Sequence, residues 1–383
     1  MNRKVLVATV VLATLILSLV ITPLLIAGPS SRLGLNLRDE VRNHMTVTLE
    51  VYKNGELVRR KVGDPISDQW LKLVTLFLLG YDYYGDLTWY YEDGTQPGTP
   101  LYYYFGTEYS ENNPIPKLAI GTGTAAYPSD YALVSKVMEA SLDSNYITVT
   151  DTGSAFNVTY SYTFVSSGSY DISEAGLFIQ VNGKEISNKW VLVAHDTFTP
   201  VSLQVDDAIT ITYKFTIDYS SPPFLKTFWE LLLDYFMGLR GAGCPVGSTQ
   251  IDLGRYWFDA GVNRAYYITS KISFAYVLTD IPWSPTISTS YDVTSIWNLR
   301  EFDIIRCSNQ EINTTLTIIQ GDSQNTYTAY GIMIYLYADT NPSSGSPSLT
   351  YLPIAYIRFN QPPLTIDHTK YFVVDLVIQF NQG

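Results

Sequence analysis

The sequence predicts a mainly β protein: two tandem antiparallel β-sandwich, jelly-roll-like domains, each with one short helix, behind an N-terminal transmembrane helix. Three observations carry this expectation. The stretch 171–217 recurs in diverged form at the end of the chain, strand-like runs alternate with Gly and Pro turns, and residues 5–31 contain no charged side chain.

In the first copy of the repeat the strand-like runs are 175–181, 190–195 and 209–217; in the second they are 330–337, 352–359 and 371–380. Gly176 pairs with Gly331, Ala194 with Ala355 and Phe198 with Phe359, each about 160 residues apart, which argues for duplication. A helical segment opens each unit at the same separation. In residues 67–80, Trp70, Leu73, Val74, Phe77 and Leu78 share one face between Ser67 as N-cap and Gly80 as C-cap. In residues 226–238, Trp229, Leu232, Leu233 and Phe236 do the same, closed by Gly238. Unit one holds about 25 extra residues after its helix, the Tyr-rich insertion 81–116.

The resulting division is a transmembrane anchor or signal segment at 1–31, a charged stalk at 32–44, a first sandwich at 45–220 that includes the insertion, and a second at 221–383. Residues 5–27 exceed the roughly 7–15 apolar residues of a secretory signal and suit an uncleaved membrane anchor. Cleavage after Ala27 is the alternative, with Leu25 against it and Gly28-Pro29-Ser30-Ser31 for it. A surface wet through hydroxyls and amides and the triplets at Asn157 and Asn313 place the large domain outside the cell. Both asparagines are then glycosylation candidates, unless the triplets arose by chance. Cys244 and Cys307 are a disulfide candidate in an oxidising compartment, or two separate buried thiols.

Along the chain, Asn54-Gly55 between alternating runs predicts a two-residue hairpin, and Gly63-Asp64-Pro65 ends it. Within 81–116 the sequence admits short strands only at 87–91 and 101–105. Further strands are expected at 118–124, 146–150 and 156–165. Ser220-Ser221-Pro222-Pro223 separates the units, and unit two continues with strands at 251–258, 266–278, 302–307 and 312–319.

The insertion is the candidate contact surface, because tyrosine offers large amphipathic area at low entropic cost. Its ligand-contact candidates are Tyr83, Tyr84, Trp89, Tyr90, Tyr91, Tyr102, Tyr103 and Tyr104; the alternative is that these rings cover the sandwich's own edge. Asp82, Asp86, Glu92, Asp93, Glu108 and Glu111 read first as solvated acids that keep the loop soluble, with calcium binding, carbohydrate binding and glycoside hydrolysis as rivals.

A net charge of -12 without a basic cluster argues against nucleic acid as a partner. His44, His195 and His368 have no second His or Cys at ligand spacing, so no metal site is expected. The GxG at Gly121 and Gly123 lacks the rest of a dinucleotide fingerprint, no nucleophile or Walker motif appears, and His195-Asp196 reads as sheet. The expectation is a protein without cofactor or catalytic residues.

The runs SEAGLF, VLVAHDTFTPVSL and DDAITITYKFTI together resemble β-sandwich modules of viral tail-fibre and surface proteins. With the apolar N-terminus, the tandem arrangement resembles turret or spike proteins of membrane-containing archaeal viruses. The resemblance implies a structural subunit of a virion surface or cell-surface appendage, with the membrane through residues 5–27, further copies of itself or other coat proteins, and a glycan receptor as partners. A carbohydrate-binding adhesin using residues 81–109 is the alternative.

Overall fold

The computed structural model describes residues 31–78, 89–96, 114–183, 186–247, 274–279, 282–287, 300–301, 306–308, 311–319, 327–339, 349–359, 364–366 and 371–379. The expected strands 101–105 and 251–258 lie outside the described residues. Strand β1 (Ser31–Asn36) and helix α1 (Leu37–His44) open the described chain. Unit one then runs β2 (Met45–Lys53), β3 (Glu56–Gly63), α2 (Asp68–Leu78), β4 (Pro116–Gly121), β5 (Lys136–Ser141), β6 (Ile147–Asp151), β7 (Ala155–Val165), β8 (Tyr170–Gly183), β9 (Ile186–Leu203) and β10 (Ala208–Asp218).

These strands form one sheet of order β3-β2-β10-β7-β6 and a second of order β5-β4-β8-β9. Strict alternation explains the first: Ile209, Ile211, Tyr213, Phe215 and Ile217 of β10 are all buried, as are Met45, Val47, Leu49 and Val51 of β2. Their apolar faces meet Leu118, Ile120, Leu177, Ile179, Val191 and Val193 of the second sheet in one core. The Tyr213 hydroxyl crosses that core to donate to the Ala175 carbonyl at 2.8 Å. β4 and β8 are buried on both faces, because the outer face of the second sheet is also covered: Ala119, Phe178 and Leu192 pack with Leu133 and Trp190.

The β2–β3 turn adopts φ of 49° at Asn54 and 88° at Gly55, the paired left-handed conformations of a type I′ turn. Asn54 also accepts from Ala208 N–H at 2.9 Å and donates to Asp207 at 3.1 Å, tying the hairpin tip to the β9–β10 turn. The Ser67 hydroxyl caps α2, accepting from Gln69 N–H at 3.1 Å, and Trp70, Leu71, Leu73 and Val74 are buried beneath it.

Unit two begins with α3 (Lys226–Leu231), which continues as a π turn (Leu232–Phe236) and stops at Gly238, whose φ is +77°. Its strands are β11 (Phe274–Thr279), β12 (Arg300–Glu301), β13 (Arg306–Ser308), β14 (Glu311–Ile319), β15 (Tyr327–Ala329), β16 (Gly331–Asp339), β17 (Leu349–Arg358), β18 (Leu364–Ile366) and β19 (Tyr371–Gln379). The sheets are β1-β19-β14-β13 and β12-β11-β16-β17, with β15-β18 as a small pair. The two units therefore share a strand order, with β1, β19, β14 and β13 in the places of β2, β10, β7 and β6. Likewise β12, β11, β16 and β17 take the places of β5, β4, β8 and β9. Isolated bridges repeat as well, Ile66 with Ala194 and Phe224 with Ala355. The segment after α3 packs on unit one: Trp70 Nε1 donates to the Phe236 carbonyl at 2.6 Å and the Tyr160 hydroxyl to that of Met237 at 3.0 Å.

Four expectations need correction. The fold class was expected to include a membrane-crossing helix, but no helix among the described residues is long and apolar enough to cross a membrane. The longest, α2, has 11 residues against the roughly 20 a bilayer requires. Residues 1–30, where that expectation rested, lie outside the described residues. The segment expected as a stalk is instead β1 and α1, because Val41 is buried and Arg42 ties the helix to Asp64 and Asp68 of unit one. Finally, the sheets are antiparallel except at β1, which pairs parallel with β19. The repeat register also shifts: Leu177 pairs with Ala194 and Ile334 with Ala355, each just before a bulge. Hence Glu174 corresponds to Gly331, and Gly176 to Met333.

Candidate functional site

The loop 122–135 leaves β4 and returns as β5 over one end of the second sheet. Its first turn closes around a carboxylate. Glu174, fully buried in β8, accepts from the N–H groups of Gly123 (2.8 Å), Ser135 (2.8 Å) and Val134 (2.9 Å). A Cβ at Gly121 would lie 2.4 Å from Glu174 Oε1, and one at Gly123 2.5 Å from its Oε2. The GxG is therefore explained by close approach to a side chain of its own chain. Burial works to raise the Glu174 pKa, but His195 and the three backbone donors outweigh it and hold the carboxyl below its ordinary value.

His195 extends this chain. Its Nε2 lies 3.1 Å from Glu174 Oε2 and its Nδ1 2.9 Å from Asp130 Oδ2. With both carboxylates ionised, both contacts are hydrogen bonds when the ring is the imidazolium, which has two donors and no acceptor. Asp196, next along the strand, points to the other face and pairs with Lys61 at 2.7 Å; burial raises its pKa. His195 and Asp196 thus belong to different networks. Both ring nitrogens of His195 face carboxylates, so neither is placed to activate a hydroxyl.

The start of α2 braces the same loop. Ser67 Oγ donates to the Asp130 carbonyl at 3.0 Å, Asp68 N–H to that of Pro128 at 2.7 Å, and Gln69 Nε2 to that of Ser129 at 2.7 Å. Gln69 Oε1 then accepts from Tyr90 N–H at 2.9 Å, joining the loop to the insertion. On the outside this framework presents an aromatic ledge. Tyr127 is 62% exposed and Tyr131 41%; the Tyr131 ring lies 5.6 Å from that of half-buried Tyr90, above Gly94. Gln96 donates to the Tyr90 hydroxyl at 2.9 Å.

Trp89 and Tyr91, expected as contact residues, are instead buried to 2% exposure, with ring centroids 4.9 Å apart. Residues 89–91 form no strand; Tyr91 N–H donates to the Thr95 carbonyl across a turn. Tyr83, Tyr84, Tyr102, Tyr103 and Tyr104 lie outside the described residues, as do Asp82, Asp86, Glu108, Glu111 and His368. The described acids of the insertion are ion-paired. Glu92 meets buried Lys117 at 2.5 Å and Lys136 at 2.7 Å, and Lys117 lies 4.3 Å from the Trp190 ring centroid. The Lys189 ammonium beside Asp93, with help from Thr95, pulls that carboxyl down to about 2. No group of three or more His, Cys, Asp or Glu side chains arranged to hold a metal ion occurs among the described residues.

Asn157 is exposed on β7 and its Oδ1 accepts from Thr216 at 2.9 Å; Asn313 lies on β14, opposite Val377. Cys244 is a half-buried free thiol, its pKa raised by burial and by Asp143, and Cys307 lies on β13. His44 Nδ1 lies 2.6 Å from the Asp218 carbonyl, against Trp229. No family model, curated protein or solved structure matches this chain.

Proposed function

We propose that this protein is a non-enzymatic structural subunit of an extracellular surface assembly, a virion surface or a cell-surface appendage, joined through the edges of its sheets. The supporting observation is the sheet edge at β3. It is the outer strand of its sheet, largely exposed along its length, and carries Leu57 at 51% and Val62 at 61% exposure. The full chain is expected to form oligomers by light scattering and electron microscopy. Val62→Asp, with the β-sheet circular dichroism intact, is expected to weaken them. A chain that stays monomeric at high concentration and copurifies with no coat or filament refutes the reading.

A second reading, carbohydrate attachment, is favoured by the ledge, since neighbouring, partly exposed tyrosines on a braced framework suit sugar rings. Tyr131→Ala and Tyr90→Ala are then expected to abolish glycan-array binding without lowering the melting temperature of unit one. An unchanged array profile removes this reading.

A further inference from the structure

Among the described residues, the strand order leaves unit two without a closing strand of its own. In unit one the edge of β10 is covered by β2, which belongs to a hairpin directly ahead of the α2 helix. The corresponding place in unit two would lie between Asp218, the end of β10, and Lys226, the start of α3, and that short connection holds no hairpin. The vacancy beside β19 is filled by β1, from the other end of the chain.

Three properties set β1 apart. It pairs parallel with β19, from Ser31 with Val374 to Asn36 with Gln379, where β2 pairs antiparallel with β10. Parallel ladders are slightly weaker per residue. Second, β1 leads straight into α1, and α1 is fastened to unit one: Arg42 donates to the Ile66 carbonyl at 2.9 Å and pairs with Asp64 at 3.1 Å. β1 is therefore an arm of unit one laid on unit two. Third, the covalent path from β1 to its own β19 runs through all of unit one, so no hairpin confines the arm to that partner.

We infer that β1 is an exchangeable closing strand whose second partner is the β19 edge of another copy of this chain. The register Ser31–Val374 to Asn36–Gln379 is identical within one chain and between two, so exchange keeps every ladder bond. The balance then depends on chain concentration and on the geometry of the Asn36–Leu37 junction. Because the donor lies near one end of the chain and the acceptor near the other, each unreciprocated exchange leaves a new donor and a new acceptor free. Such a contact is heterologous, and it propagates head to tail unless its rotation closes a ring. This deepens the assembly reading above and rests on it.

Cysteine pairs across the register test it in the full chain. Leu33 is in register with Leu376, and Leu35 with Ile378. One batch carries Leu33→Cys and a second, differently tagged, Leu376→Cys; they are mixed, allowed to assemble and oxidised, with the wild type as control for Cys244 and Cys307. Exchange predicts a disulfide-linked pair bearing both tags in the assembled fraction, and its loss from the monomer fraction. The pair Leu35→Cys with Ile378→Cys serves where the first disturbs folding. In the Leu33→Cys/Leu376→Cys double variant, assemblies whose disulfides form only within single chains overturn the inference and leave edge-mediated assembly standing. Failure of every variant and of the wild type to assemble overturns both.

Discussion

Removing the Glu174 carboxylate is the sharpest perturbation the structure offers. Glu174→Ala deletes an acceptor used by three backbone N–H groups at 2.8–2.9 Å and by His195 at 3.1 Å. Each hydrogen bond to a charged group contributes roughly 1.5–3 kcal/mol, and each buried donor left without its acceptor costs roughly 1–3 kcal/mol. Because these contacts act as one unit they do not add, and the expected loss is about 3–5 kcal/mol in urea unfolding. Hydrogen exchange should quicken selectively at Gly123, Val134 and Ser135. A double-mutant cycle isolates the cause, since the three atoms nearest a Cβ at Gly123 all belong to Glu174. Gly123→Ala alone is expected to cost about 1–3 kcal/mol as overpacking, and much less when Glu174 is already alanine. The acid limb follows from the lowered folded pKa. The contribution is fully present above the unfolded glutamate value of about 4.3 and is lost as pH falls through the folded value below it, a limb the alanine variant lacks. A loss under about 1 kcal/mol, unaltered exchange at the three amides, or additive Gly123 and Glu174 effects would refute the reasoning.

Other expectations follow from single contacts. Gly55→Ala keeps its space but places a Cβ at φ +88°, so the hairpin should lose about 1–2 kcal/mol, read from the urea midpoint. The Asp93 carboxyl should titrate at about 2 by carbon NMR, and move up toward its ordinary value in Lys189→Met; a wild-type value near 4 would contradict the ion pair. Trp70→Phe removes the donor to the Phe236 carbonyl at 2.6 Å and should cost about 1–3 kcal/mol, with heat-induced unfolding of the two units becoming less coincident.

What could be read ahead of the structure depended on how local the determining physics was. The hairpin at Asn54-Gly55 and the Ser67 cap are set by adjacent residues, and both form as expected. β8, β9 and β10 fall where alternation and apolar runs put them, though each extends beyond its expected bounds. β5 lies in a stretch where no strand is expected from the sequence, because KVMEAS is a half-exposed edge with weak alternation. α1 was missed because eight largely charged residues nucleate poorly alone; its buried Val41 and its Arg42 contacts come from unit one. The Asp130–His195–Glu174 chain draws on residues far apart in sequence, and its one local signal was an acid inside the apolar strand SEAGLF. Trp89 and Tyr91 follow the second of the two roles the insertion admitted: composition marked it as a contact surface, whereas these two rings are buried with the main core.

The corrected repeat register gives that buried chain a counterpart in unit two. Glu174 corresponds to Gly331 and His195 to Tyr356. A Cβ at Gly331 would fall 2.6 Å from Tyr356 Cε1, so the aromatic ring lies over the glycine where unit one has a carboxylate against an imidazole. Both members of the pair differ together, as packing requires: a glutamate beneath that ring would clash, and a glycine beneath His195 would leave the imidazole and three N–H groups without their acceptor. In unit one the polar pair gives the 122–135 loop its anchor, and with it the Tyr127–Tyr131 ledge. In unit two Tyr356 is fully buried among Met333, Tyr335 and Leu225, with Trp283 edge-on at 5.6 Å. One strand order thus serves two different packings. Unit one closes its own edge and builds an outward ledge on a charged clamp, while unit two replaces the clamp with a ring and takes its closing strand from the far end of the chain.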